Sequence, residues 1–225
     1  MEGQSYRAIL WRVGLALVVV GCVDIASMVY CIVHRMSYRS SLNLFAVIAG
    51  ILLMRGSLRT ATAVRWFGMF FFSAGVAMLL LWETLQPVSL TLTEFRLAPA
   101  RFTGLAALML SLLAFFYWGI RELGRNEVQL ASLAARVRSR NMRFPAVLGV
   151  ALVVALIVTL NVFINGETGH RMEMMAEKQV GSGYKFHVTS LSVSNPGPNE
   201  SVSGVVTAWN DSEIRDIPIH WGGSH

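Results

Sequence analysis

Long apolar runs separated by short arginine-bearing segments dominate the chain from residue 13 to residue 164. A helix crossing the ~30 Å hydrocarbon layer needs ~20 mainly apolar residues, and the runs at 13–33, 66–82, 103–120 and 144–164 approach or meet that length. The run at 42–54 is shorter. Tyr38, Arg39 and Arg55 flank it and extend it by snorkelling, so the pattern predicts a further span over about 40–55. Between the last two runs, Leu130, Leu133, Ala134 and Val137 fall in one arc at helical spacing, with Arg136, Arg138 and Arg140 around them. This predicts a cytoplasmic amphipathic helix over about 126–142, lying on the membrane surface.

After residue 164 the periodicity changes. Asn165-Gly166-Glu167-Thr168-Gly169 breaks the helix, and 170–179 reads as a short linking helix. Three alternating stretches follow at 184–193, 201–210 and 214–221, separated by Asn195-Pro196-Gly197-Pro198-Asn199 and Asn210-Asp211-Ser212. They predict an antiparallel meander in which Ile217, Ile219 and Trp221 share a face and Pro218 holds its strand to an edge. So small a sheet has too little core of its own, so outer loops, a second copy of the chain or another protein is expected to cover it. Val88-Ser89-Leu90-Thr91-Leu92-Thr93 alternates strictly and predicts a strand lying against the meander. The fold expected is a mainly α, polytopic membrane protein. Five transmembrane helices fill 1–164, and an extracytoplasmic linker helix with a small antiparallel β module fills 165–225.

Composition agrees with a lipid environment. The chain is 54% hydrophobic and 14% charged, with mean hydropathy +0.54, against about 25% charged residues in soluble proteins. The net charge of +6 does not point to nucleic acid, because the arginines border apolar runs and set topology there. With five spans, one set of loops holds Arg7, Arg12, Arg55, Arg59, Arg65, Arg121, Arg125, Arg136, Arg138, Arg140 and Arg143, and the other holds Arg35, Arg39, Arg96 and Arg101. The first set is expected in the cytoplasm with the N-terminus, which leaves the C-terminus outside. Trp11, Trp66, Tyr117 and Trp118 at one level, with Tyr30 and Trp82 at the other, fit aromatic belts. The layout looks like that of many small bacterial inner-membrane proteins, a likeness of architecture that brings no catalytic residues with it.

Few residues carry candidate chemistry. Asp24 is the one carboxylate well inside an apolar run and groups on a helical wheel with Gly14, Gly21, Met28 and Cys31. It is expected to face other helices, as a hydrogen-bonded packing residue or as a proton or cation site. Ala46 with Gly50, and Ala151 with Ala155, have spacings that let helices approach closely. His170, Met172, Met174 and Met175 cluster just after the last span, and imidazole with thioether sulfur is a copper-type ligand set; His220 and His225 join it only if the sheet folds back. Methionine also serves as adaptable packing, and no metal or cofactor is expected. Cys22 follows a run resembling a lipoprotein cleavage box, but the apolar run continues past it as a span does. Cys22 and Cys31, nine positions apart, lie on opposite helix faces. Asn199 and Asn210 head glycosylation-type tripeptides. Zinc-protease, paired-aspartate and phosphate-loop motifs are missing and no span holds a histidine base, so no enzyme activity is expected. The expected function is a non-catalytic interaction or assembly protein that sits in the lipid bilayer and presents its β module to another membrane or extracytoplasmic protein, or to itself. The alternative is a transporter or channel component using Asp24.

Overall fold

The computed structural model describes residues 2–35, 43–137, 141–181, 183–194 and 201–222. Tyr38, Arg39, Arg138, Arg140, His225 and the stretch Asn195 to Asn199 lie outside them. Eight helices precede three strands: α1 Glu2–Val33, α2 Asn43–Met54, α3 Leu58–Leu80, α4 Val88–Leu97, α5 Pro99–Leu123, α6 Asn126–Ala134, α7 Arg143–Ile164, α8 Glu167–Val180, β1 Lys185–Ser194, β2 Ser201–Trp209 and β3 Ile214–Trp221. A 3-10 turn at Trp82–Thr84 follows α3.

Among the described residues four helices, α1, α3, α5 and α7, are long and apolar enough to cross a membrane. That corrects the expected count of five. α2 has 12 residues, about 18 Å of helix at 1.5 Å per residue, short of the ~30 Å layer. Its end is fixed locally. Gly56 takes a positive φ of 84°, its N–H donates to the Leu53 carbonyl, and the Ser57 N–H donates to the Leu52 carbonyl, which is a Schellman stop. Ser57 then caps α3 by accepting the Thr60 N–H at 3.3 Å. α6 is cut short in the same way. Arg136 adopts a φ of 52° while Val137 N–H reaches the Ser132 carbonyl, so the helix predicted over 126–142 ends near 134.

The chain forms two compact units. The first comprises Met1–Gly75 and Leu112–Gly149. Within it α1 and α2 pack most extensively, and they cross where Gly14 and Gly50 meet. A Cβ on Gly50 would lie 2.6 Å from the Gly14 carbonyl oxygen, and one on Gly14 equally close to the Gly50 oxygen. Only glycine permits such backbone contact. Ile9, Leu10, Val13, Leu53, Ala61, Leu123 and Val128 form this unit's core. Val128 is thus the buried residue of α6, while Leu130 and Leu133 stay exposed. Phe71 stacks on Phe116 at 5.8 Å, and Gly149 lies against the Phe70 carbonyl and Ser73.

The second unit comprises Val76–Ser111 and Val150–His225. Its sheet has the order β1-β2-β3, antiparallel throughout, with Val188 opposite Val206 and Val206 opposite Ile217. The three strands match their predicted positions closely. Two other expectations fail. Val88 to Thr93 is not a strand but the start of α4: Pro87 sets its first turn, Leu90 and Thr93 are buried at an i,i+3 spacing, and the Thr93 hydroxyl donates to the Ser89 carbonyl at 2.9 Å. The expected cover of the meander is found within the chain but is neither an outer loop nor a second copy. α8 covers its apolar face through Met172 and Ala176, both fully buried against Val188, Val206, Ala208, Ile217 and Ile219.

Candidate functional site

The candidate surface is built on the sheet, and each strand contributes differently. Gly166 starts α8 one residue after the Asn165 break, and Gly169 packs so tightly on the end of α7 that a Cβ there would overlap the Ile164 carbonyl. The buried positions of α8, Gly169, Met172 and Ala176, follow helical spacing, so one face of the helix seals one face of the sheet. Met172 fills the hollow over Gly204, where a Cβ would lie 2.6 Å from its Cε.

The opposite sheet face carries a polar row. In register, His187, Thr207 and Asp216 lie side by side across the strands. Thr189 is the extra residue of a bulge in β1, and its hydroxyl lies 3.2 Å from that of Thr207. Thr207 donates in turn to Asp216 Oδ1 at 2.8 Å. His187 Nε2 donates to the Leu85 carbonyl at 2.9 Å, which ties β1 to the segment after α3. At the β2–β3 turn the Tyr184 hydroxyl donates to Glu213 Oε1 and Arg215 Nε donates to Glu213 Oε2 at 3.0 Å. The hydrogen bond from Tyr184, then that from Arg215, holds the Glu213 carboxyl below its ordinary range, and the same bond to Glu213 pushes the Tyr184 hydroxyl up.

The two outer strands differ in what their free edges present. β3 bears Arg215, Asp216 and Pro218, features that discourage another strand from pairing. β1 runs for 10 residues with Lys185 its one Lys, Arg, Asp or Glu and with no proline. Among the described residues its main chain hydrogen-bonds to β2 and to no other segment. Ser190 and Ser192 are exposed along it.

The predicted site residues are not gathered in one place. Asp24 is half-buried on the same side of α1 as buried Gly14 and Gly21 and half-buried Met28 and Cys31, and it is engaged in a polar interaction. The copper-type set is split: Met172 is sealed in the sheet core and Met175 packs beside it, while Met174 is exposed and His170 points outward 3.6 Å from Glu173. His220 is exposed on β3. The described residues contain no group of three or more His, Cys, Asp or Glu side chains placed to hold a metal ion. Cys22 and Cys31 are free thiols, Cys22 the more exposed. Sequence reasoning missed the open β1 edge, although the charge and proline of 214–221 against the plain 185–194 stretch held the signal. Comparison with family models, with curated proteins and with solved structures finds no match to this chain.

Proposed function

We propose that the chain is an integral membrane protein that anchors a small β module, and that this module binds an extended segment of a partner protein along the β1 edge. The bilayer reading is supported by large apolar side chains left open along the four long helices, such as Val33, Leu80 and Val162 at 71%, 77% and 69% exposure, surfaces of a size and continuity that water does not favour. Arg7 and Arg12 lie in the N-terminal part of α1, Arg59 and Arg143 at the start of α3 and α7, and Arg55, Arg121, Arg125 and Arg136 at or just past the close of α2, α5 and α6. Under the positive-inside rule these ends face the cytoplasm and the C-terminal sheet lies outside, in a bacterial inner membrane. The short α2 returns the chain to the arginine-bearing side beside α1, so this sidedness does not require a fifth full span. Asp24, on the packing face of α1, serves in this reading as a helix-joining residue.

The observation that carries the binding role is the unpaired, proline-free β1 edge, with Lys185 at its start as its one Lys, Arg, Asp or Glu, in contrast to a β3 edge that bears Arg215, Asp216 and Pro218. Main-chain groups of such an edge give affinity to an added strand, and alternate side chains give specificity. No reacting group is required. A photo-crosslinker placed at Ser192 in membranes should capture a discrete polypeptide through an extended segment, and adding Ser190→Lys should lower the yield severalfold. The same probe at His220 on β3 should stay unreacted. Equal capture from both edges, or none from β1, would overturn the proposal.

A further inference from the structure

One cavity outside the β1 edge has a chemistry that its walls define. It is an open cleft within the second unit, with a volume of about 220 Å³, lined by the segment after α3, the last turn of α7 with Asn165, and His187 of β1. Most of its polar hydrogens are already committed. Asn161 Nδ2 donates to the Thr84 carbonyl at 3.2 Å and the Ile157 carbonyl at 3.3 Å, and Asn165 Nδ2 donates to Asn161 Oδ1 at 2.8 Å. The Thr84 hydroxyl donates to the Leu81 carbonyl at 2.6 Å. His187 spends its Nε2 hydrogen on the Leu85 carbonyl, and a neutral imidazole then offers Nδ1 as an acceptor.

What remains open is a set of acceptors. Glu83 lines the cavity with no hydrogen bond or ion pair among the described residues. Asn165 Oδ1 is left over from the amide chain, and the carbonyl end of α7 adds the negative pole of its helix dipole. The uncommitted side-chain donors on the wall are the Gln86 amide and the second hydrogen of Asn165 Nδ2. No Lys or Arg lines the space, which disfavours an anion. A single carboxylate is too few for a tight divalent site of oxygen ligands. A primary ammonium brings three donors and no acceptor, and the volume exceeds several times the ~30 Å³ share of one water.

We infer that the Glu83–Asn165–His187 cavity binds a primary ammonium group. Glu83 accepts one N–H with charge assistance, and Asn165 Oδ1 and His187 Nδ1 accept the others. Glu83 follows Trp82, and Asn165 follows the last residue of the long apolar helix α7, so in the membrane reading the cavity lies at headgroup level. The ammonium has two sources there, an ethanolamine lipid headgroup or a soluble amine.

The test uses the full-length protein with isotope-labelled asparagine, read through the Asn165 side-chain amide signal. Ethanolamine is titrated in detergent, and nanodiscs of phosphatidylethanolamine are compared with nanodiscs of phosphatidylcholine. Choline, which has no N–H, is the control. Saturable shifts with ethanolamine, with the ethanolamine lipid, or with both support the site, and which arm responds names the source. Glu83→Gln, at an exposed position without a partner, should weaken binding about tenfold, the loss expected for a hydrogen bond to a charged group. The inference is overturned if neither ethanolamine nor its lipid moves the signal, if choline moves it equally, or if Glu83→Gln binds as tightly as the parent chain.

Discussion

The α1–α2 pair and the α8-covered sheet both bring glycine into a packed interface, and they use it in opposite ways. Gly14 and Gly50 let two backbones touch, each glycine's missing side chain making room for the other's carbonyl. Gly204 instead leaves a hollow that a long side chain fills, that of Met172. In the membrane reading proposed above, the difference follows from the solvent each region meets. Between helices in lipid, apolar surface gains little from leaving its surroundings, so association depends on close van der Waals contact. In water the removal of apolar area is itself the driving force, so a large side chain sealed from solvent is worth more than a close backbone approach.

The largest effect should come from the side chain that plugs the sheet. Met172 is fully buried, and Met172→Ala removes its transfer energy and leaves a cavity over Gly204, a loss of about 2–5 kcal/mol. For a module this small that approaches the whole stability. Near-ultraviolet dichroism from Trp209, which is 3% exposed, should collapse at a lower temperature in the variant. If Met172→Ala melted together with the parent chain, α8 would not be what closes the sheet, and the contrast with the helical pair would fail.

How much of this was legible depended on whether the partner of a residue lies near it in sequence. The three strands and four long helices declare themselves by local periodicity. The cover of the sheet was also written locally, in the Gly169, Met172, Ala176 spacing, but the same residues invited a metal reading because His170 and Met174 stand among them. Their separation onto different faces of one helix is what undoes it. Residues 88–93 misled because strict alternation over six positions argues for a strand, whereas the helix buries Leu90 and Thr93 and leaves Val88 and Leu92 exposed, with the threonine hydroxyls satisfied by carbonyls four residues earlier. The ammonium cavity was not legible at all. Its tie from Asn161 to Thr84 spans 77 residues and that from His187 to Leu85 spans 102, and no local pattern specifies either.

The helical half of the comparison is sharpened by Gly50→Val. Added carbons would meet the Gly14 carbonyl oxygen at 2.6 Å and the Val18 main-chain nitrogen at 3.0 Å. Main-chain atoms cannot swing aside, so α2 must move away from α1 at a cost of about 1–3 kcal/mol. Disulfide trapping between cysteines placed at Val18 and Ala46, in a background with Cys22 and Cys31 replaced, should fall in the Gly50→Val variant. The Trp209 signal should not change. Trapping that persisted undiminished would show that the glycine pair is incidental to the crossing.

The smallest effect is one of pH, because the sheet carries a titrating clamp at its β2–β3 turn. The Glu213 carboxyl is held below its ordinary value, first by the Tyr184 hydroxyl and then by Arg215. A depressed folded value contributes stability that is fully present above the unfolded value and is lost as pH falls through the folded one, which places this loss in acid below the usual glutamate range. Tyr184 is shifted the other way, first by its bond to Glu213 and then by desolvation. Its contribution is fully present below the ordinary tyrosine value and is lost as pH rises through the raised one. The Trp209 melting midpoint should therefore sag at both ends of the pH range, and slightly, since the cluster is solvent-exposed and screened. Tyr184→Phe should abolish the alkaline sag and reduce the acid one, because Arg215 still holds Glu213 at 2.9 Å. A Tyr184→Phe profile superimposable on that of the parent chain would mean that the turn contributes nothing that pH can remove.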